Sequence, residues 1–170
     1  MAEIWTIGYE HVGQADLIRL LTDAKIAIVL DVRELPNSRR AGFSRRQLQA
    51  GLQEAGIAYR HLKLLGTPKA GRDANKRRDW QTFEKIVEGA LDRPEAELQL
   101  LEAAEIAQAQ RACLLCLETD WTHCHRAEIV RRLKAKGAIT QAHHLSPVGA
   151  AAPGQQSPKA RSRKPRTPRS

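Results

Sequence analysis

The stretch IAIVLDVRELPNSRR, residues 26–40, decides the fold that this sequence predicts. It begins as a continuous aliphatic run, which is typical of a strand that is covered on both faces in a parallel sheet. It continues as a polar, proline-containing segment, which predicts a loop at the carboxyl end of that strand. Since side chains alternate along a strand, Asp31 and Arg33 are expected on one face, where they can pair with each other or hold a polar ligand.

Strands and helices alternate on both sides of this stretch. Further strands are predicted at residues 4–8, 57–62, 112–118 and 138–145, and helices at 14–25, 44–56, 80–91, 94–110 and 124–137. Ser44 and Gln47 stand in the positions of a capping box, and residues 63–79 are predicted to be irregular. The alternation predicts an α/β domain: a mostly parallel sheet of about five strands with helices on both faces, in three Rossmann-like layers.

The basic residues separate a tail from this single domain, which is predicted to cover residues 1–147. The chain has a net charge of +9, and residues 151–170 contribute six Lys and Arg residues and no acid. Residues 148–170 are rich in Pro, Ser and Arg, and such a composition predicts disorder. The tail and the basic segment 63–78, which Trp80 follows closely, are candidates for contacts with nucleic acid. The alternative is that both are solvated surface.

Composition argues against a membrane or secreted protein. No run of about 18 apolar residues is present, and the first residues lack the pattern of a signal peptide. Three cysteines do not form a disulfide framework. A cytoplasmic protein without a membrane partner is therefore expected.

The densest group of reactive residues is CLETDWTHCHR, residues 116–126, at the end of the predicted fourth strand. Cys113 and Cys116 point to opposite faces of that strand, so they cannot bind one metal ion together. A zinc site from Cys116, Cys124 and the histidines at 123 and 125 requires the loop to fold back, and the spacing is not that of a zinc motif. We therefore expect neither a metal nor a cofactor, with a zinc-stabilised domain as an alternative.

The same residues favour thiol chemistry. Thr122 or Asp120 is predicted to cap the following helix, which places Cys124 in or next to its first turn, where the helix dipole stabilises an anion. His125 and Arg126 are expected in the same turn. Glu118 shares a strand face with Cys116 and is a candidate general base. The alternative is a salt-bridged turn with inert thiols.

These segments resemble the family called domain of unknown function 488. TIGYE, DVRELPNSRRAGFS, GIAYRHLKLLG, CLETDWTHCHR and the closing HHL occur in the order of that family, over about residues 3 to 146. The resemblance implies an α/β fold with these motifs gathered at one site, and it supplies no reaction. By position, the implied site contains Asp31, Arg33, Ser38, Cys116, Glu118, Cys124, His125 and Arg126. Residues 121–122 depart from the family, where a proline-containing turn is common.

A weaker resemblance to rhodanese-type domains places Cys116 at the position of their persulfide-carrying cysteine. Here the following loop is longer and lacks glycine. Taken together, these patterns predict a small enzyme, a hydrolase or transferase, that acts on an anionic or nucleotide-like ligand, either free or within nucleic acid. Cys116, Glu118, Cys124 and His125 are the expected catalytic residues, and Asp31, Arg33, Ser38 and Arg126 the expected ligand-binding residues. A non-catalytic nucleic-acid-binding module and a rhodanese-like thiol transferase are the alternatives.

Overall fold

The computed structural model describes residues 1–146, so the predicted tail at 148–170 lies outside the described residues. Five strands alternate with six helices in this part of the chain. The strands are β1 (Glu3–Gly8), β2 (Ile28–Asp31), β3 (Ala58–His61), β4 (Ala112–Cys116) and β5 (Gln141–Leu145). The helices are α1 (Gln14–Asp23), α2 (Arg45–Glu54), α3 (Lys69–Lys76), α4 (Trp80–Leu91), α5 (Pro94–Ala109) and α6 (His125–Ala135), with short 3₁₀ turns at Lys63–Leu65 and Trp121–His123.

All strand pairs in the sheet are parallel, and the strand order is β3-β2-β4-β1-β5. The chain moves outward from β1 through β2 to β3, and later returns to place β4 between β2 and β1. Ligands of open parallel sheets bind outside the carboxyl ends of strands where the order reverses. The carboxyl ends of β1, β2 and β4 therefore form the edge at which a site is expected. The predicted α/β fold with a parallel sheet of five strands is confirmed.

Two apolar cores lie on the two faces of the sheet. Leu17 and Leu21 of α1 and Leu48 and Leu52 of α2 pack with Cys113 on one face. Helices α3 to α6 cover the other face, in a cluster that includes Leu30 and Leu114 of the sheet. The sheet is thus the middle of three layers, and Cys113 is fully buried, as a small apolar core residue.

Two local predictions were wrong. Residues 63–79 are not irregular, because they contain a 3₁₀ turn and helix α3. The buried face of α3 consists of Gly71 and Ala74, which carry too little apolar side chain to produce helical periodicity. Ser44 is the N-cap of α2 but makes no side-chain capping bond, since its Oγ donates to the Ser38 carbonyl and the Gln47 amide oxygen accepts from Gly42 instead.

Within residues 1–146, every helix is too short or too polar to cross a lipid bilayer.

Candidate functional site

The Asp31 and Arg33 side chains form a buried, bidentate ion pair at the end of β2. Arg33 Nε lies 2.8 Å from Asp31 Oδ1, and Arg33 Nη2 lies 2.7 Å from Oδ2. Asp31 is fully buried and Arg33 is 6% exposed. The predicted placement of both side chains on one face explains the pair, because the backbone needs only one intervening residue to bring them together.

The other donors of Arg33 are also engaged by the protein. Nη1 donates to the Phe43 carbonyl at 2.7 Å and to the Tyr9 hydroxyl at 3.2 Å. Tyr59 donates its hydroxyl to Asp31 Oδ2, so the carboxylate has a second partner. The ion pair therefore anchors the 33–44 loop to the sheet, and most of the Arg33 donors are occupied.

A capped 3₁₀ turn folds the segment after β4 back toward the sheet. The Asp120 carboxylate accepts from the backbone N–H of Thr122, which caps this turn rather than α6. The predicted cap of α6 was therefore wrong: Cys124 is the N-cap residue and His125 is the first helical residue. His123 stacks on Trp80 and turns away from the thiols.

Four reactive side chains meet where β4 and α6 approach each other. Glu118 Oε2 lies 3.0 Å from Cys116 Sγ and 3.5 Å from Cys124 Sγ. His125 Nδ1 lies 3.7 Å from Cys116 Sγ and 3.6 Å from Cys124 Sγ. Both thiols and the imidazole are buried, and Glu118 is half-buried. We call Cys116, Glu118, Cys124 and His125 the thiol cluster.

Three contacts hold the thiol cluster in place from outside. His125 Nε2 lies 2.7 Å from the Val32 carbonyl oxygen at the end of β2. Arg126 is 1% exposed, and its Nε donates to Cys124 Sγ at 3.3 Å while its Nη2 donates to the Glu118 carbonyl. Arg126 therefore places a positive charge beside the cluster and fixes the backbone that carries the Glu118 side chain.

The two thiols of the cluster differ in acidity. The hydrogen bond with Cys124, together with burial, raises the pKa of Cys116 well above its ordinary value. Burial alone would also raise the pKa of Cys124, but the Cys116 hydrogen bond and the charges of Arg126 and His125 lower it well below its ordinary value. Burial raises the pKa of Glu118. Cys124 is therefore the more acidic thiol, as expected at the start of a helix.

Two cavities that share lining residues open at this edge of the sheet. The inner cavity has a volume of about 250 Å³, and its lining includes Tyr9, Arg33, Arg72, Cys116, Glu118 and His125. The outer cleft has a volume of about 620 Å³, and it is lined by the basic Arg72, Lys76 and Arg78, by the acidic Glu10, Glu118 and Asp120, and by Trp80 and His123, among others. Arg72, Leu117 and Glu118 line both spaces, so these three residues lie between the inner cavity and the outer cleft.

The structure brings most of the sequence-predicted site residues together. The thiol cluster and Arg126 are in mutual contact, and Arg33 lines the inner cavity with Asp31 behind it. Ser38 lies apart, in the 33–44 loop, where its Oγ accepts from the Arg40 backbone N–H. The catalytic and ligand-binding roles of these residues stay predictions.

Arg72 was not singled out from the sequence, although it lies within the basic segment 63–78. Its Nη1 lies 2.8 Å from Glu34 Oε2 and 2.8 Å from the Thr67 carbonyl oxygen, so its position in both cavities is fixed. In the sequence, Arg72 is one of several basic residues in a segment predicted to be irregular. Only the helical geometry of α3 distinguishes Arg72, which lines both cavities, from its basic neighbours, none of which lines the inner cavity.

His144 of β5 packs against the 3₁₀ turn at the other side of the site. Its ring stacks on Trp121 with centroids 3.7 Å apart, and its Nδ1 lies 2.7 Å from Thr6 Oγ1. The pKa of His144 is lowered to about 4. Burial is the largest cause, and the positive charges of Arg126 and Lys134 on α6 and of neighbouring His143 add to it.

We expect this low pKa to make the folded protein less stable in mild acid. Because an unfolded histidine titrates near pH 6.5, the unfolded state binds more protons than the folded state between about pH 4 and 6.5. The stabilisation by neutral His144 is complete above pH 6.5 and decreases as the pH falls toward 4, by about 1–2 kcal/mol after allowance for partial exposure. Urea unfolding at several pH values should show a shallower decrease for His144→Gln. Parallel curves for the two proteins would contradict this.

Comparison with known proteins identifies a family but no characterised relative. The family model described as "Domain of unknown function DUF488" matches residues 14–133. The matched region contains the Asp31–Arg33 pair, the thiol cluster and Arg126. Searches of curated proteins and of solved structures gave no match. The resemblance seen in the sequence is therefore confirmed, and the chain belongs to the DUF488 family.

Proposed function

We propose that this protein is an enzyme, a hydrolase or transferase, that acts on a small anionic, nucleotide-like molecule. One observation carries the proposal: the inner cavity with its reactive groups and the outer cleft with its basic residues adjoin, with Arg72 and Glu118 in the linings of both. A ligand that spans this junction has its anionic part in the outer cleft and its reacting part beside the thiol cluster.

The basic side of the outer cleft supports a phosphate and base site. Arg72, Lys76 and Arg78 supply positive charge there, opposed by the acidic Glu10, Glu118 and Asp120 in the same lining, and guanidinium groups suit phosphate oxygens. Trp80 stands at the same cleft with its ring stacked on His123, at a centroid distance of 4.1 Å. An aromatic pair of this kind offers a flat surface for a nucleobase.

The inner cavity has the chemistry of the reaction. Cys116, Glu118 and His125 reach its wall, and Cys124 lies directly behind them. In our proposal Glu118 transfers a proton, while the thiols and His125 form the reactive centre. Arg33 adds positive charge at the wall and Asp31 holds it there. Arg126, whose donors face Cys124 and Glu118, supports the reactive centre rather than touching the ligand.

Two substitutions test the two halves of this proposal separately. A panel of nucleotides and phosphate esters is assayed for turnover and, by calorimetry, for binding. Glu118→Gln is expected to lower the turnover of any accepted substrate at least 100-fold, because proton transfer is lost. Arg72→Gln is expected to weaken binding about tenfold or more, since one hydrogen bond to a charged group is worth about 1.5–3 kcal/mol.

Arg131→Gln is the matched control, since Arg131 is also a guanidinium tied to a carboxylate, Glu128, on the surface of α6. It should leave both binding and turnover unchanged. A substrate that Glu118→Gln converts at the wild-type rate would exclude the assigned role of Glu118. Equal binding by wild type and Arg72→Gln would exclude the outer cleft as the anion site.

A second candidate function is non-catalytic binding of single-stranded nucleic acid. It is favoured by Lys76, Arg77 and Arg78 at the end of α3, for which the described residues show no ion pair. Residues 148–170, predicted to be a basic tail, would add phosphate contacts. This candidate predicts no turnover of any substrate and an affinity for oligonucleotides that decreases steeply with salt.

A further inference from the structure

We propose that the thiol cluster is a zinc site, with Cys116, Cys124 and His125 as ligands and an open fourth position beside Glu118. Cys116 Sγ, Cys124 Sγ and a ring nitrogen of His125 all lie within 4.8 Å of one another. The proposal rests on the proposed function for what the metal does in the inner cavity, and on geometry alone for its presence.

The sulfur-to-nitrogen distances in the cluster are those of a zinc tetrahedron. With Zn–S bonds of about 2.3 Å and Zn–N bonds of about 2.0–2.1 Å, tetrahedral angles separate sulfur from nitrogen by about 3.5–3.6 Å. His125 Nδ1 lies 3.6 Å from Cys124 Sγ and 3.7 Å from Cys116 Sγ. Glu118 Oε2 lies 3.5 Å from Cys124 Sγ and 3.0 Å from Cys116 Sγ, outside the group of three ligand atoms, so it stands beside the ion rather than on it.

The orientation of His125 is also that of a metal ligand. A carbonyl oxygen only accepts hydrogen bonds, so the contact with the Val32 carbonyl at 2.7 Å places the proton on Nε2. The lone pair of Nδ1 then points toward the two thiols. Metal-binding histidines have such an outer acceptor as a rule, because it fixes the tautomer and the ring plane.

Charge balance completes the case. Zinc binding releases the protons of both thiols to solvent, so the ion is held by two thiolates and the neutral His125 imidazole. The total charge of ion and ligands is then zero, and Arg126 stabilises the Cys124 thiolate through its Nε contact of 3.3 Å with Cys124 Sγ. Two thiolates and an imidazole select zinc over magnesium or calcium, which prefer oxygen ligands.

A zinc ion here explains how the inner cavity can activate its ligand. Cys116, Glu118 and His125 line that cavity, so the ion has an open side toward it. The ligand or a water molecule would take the fourth position, and Glu118, whose Oε2 lies 3.0 Å from Cys116 Sγ, would stand beside it as a base. This arrangement of three protein ligands and one exchangeable position is that of hydrolytic zinc centres.

The test uses the full chain, purified under reducing conditions, with metal content and cobalt spectra as readouts that need no substrate. We expect about one zinc ion per chain by elemental analysis. After chelation and addition of Co²⁺, we expect thiolate-to-cobalt charge-transfer bands and the intense visible bands of tetrahedral cobalt. Cys116→Ser and Cys124→Ser should each weaken zinc binding at least tenfold, and His125→Ala should do the same.

Cys113→Ala is the matched control, because Cys113 lies on the opposite face of β4 and packs in the other core. It should keep the full zinc content and the same cobalt spectrum. Wild-type protein with no stoichiometric zinc after incubation with excess ion would overturn the proposal, as would an octahedral cobalt spectrum without charge-transfer bands. If zinc-free protein turns over a substrate, the proposed function stands and the role of the metal in it is excluded. If zinc binds but no substrate is turned over, the zinc site stands and the proposed function is excluded.

Discussion

Asp31→Ala is expected to destabilise the folded protein by about 3–5 kcal/mol, because it leaves the Arg33 guanidinium buried without its counter-charge. The carboxylate is fully buried, and it accepts three hydrogen bonds from Arg33, one of them from the backbone N–H, and one from the Tyr59 hydroxyl. All four donors lose their acceptor in the variant. The free energy of unfolding, measured with urea, gives the size of the effect.

Asp16→Ala is the control for this prediction. Asp16 also pairs with an arginine, Arg19, at 3.0 Å, but the two side chains are 59% and 68% exposed. Its removal should cost less than about 1 kcal/mol. The double variant Asp31→Ala/Arg33→Met should regain part of the loss, because the uncompensated charge is gone. An Asp31→Ala protein as stable as Asp16→Ala would show that the buried pair does not hold the loop.

Gly8→Ala is expected to displace the backbone that carries Glu118 and thereby to damage both the fold and the site. A Cβ atom at position 8 would lie 1.8 Å from the Glu118 carbonyl oxygen and 2.8 Å from the Thr119 nitrogen. Both atoms belong to the backbone, so no side-chain rotation relieves the overlap. We expect a loss of about 1–3 kcal/mol or more in stability, together with loss of the tetrahedral cobalt spectrum and of turnover.

Gly89→Ala is the matched control, because the same change from glycine to alanine is expected to have the opposite effect on stability there. Gly89 lies inside α4, and a Cβ atom there would have no neighbour within 4 Å. The substitution should stabilise the protein slightly, by about 0.5–1 kcal/mol, because alanine favours the helix. Thermal unfolding of both variants, with cobalt spectra, measures the contrast. A Gly8→Ala protein with wild-type stability and spectrum would mean that the Glu118 segment moves freely.

The architecture could be predicted from the sequence because buried parallel strands leave a strong local signal. The aliphatic runs before Asp31 and Cys116 are typical of strands in the middle of a parallel sheet that is covered on both faces. Helix α3 could not be predicted, because its buried face is glycine and alanine and its remaining residues are polar. The order of the strands depends on pairing between distant segments, for which residue patterns carry no comparable signal.

The thiol cluster could be predicted only in part, for a related reason. Its members lie within ten residues of one another, so the sequence was enough to expect them near one strand end. Their distances depend on the 3₁₀ turn that Asp120 caps, and on the Val32 carbonyl that orients His125 from a different strand. The spacing of these residues in the sequence is not that of a zinc motif, because the backbone of two elements, rather than one short loop, sets the distances among their side chains.

The position of β1 in the sheet determines when the fold can be completed during translation. β1 leaves the ribosome before every other strand, yet both of its partners are made late: it pairs with β4 at Ile4↔Ala112 and with β5 at Ile4↔Ala142. At about 5–20 residues per second, the nascent chain carries β1 without its native neighbours for on the order of ten seconds. Because β1 is rich in apolar residues, this interval is the one in which its unpaired edge is exposed to aggregation.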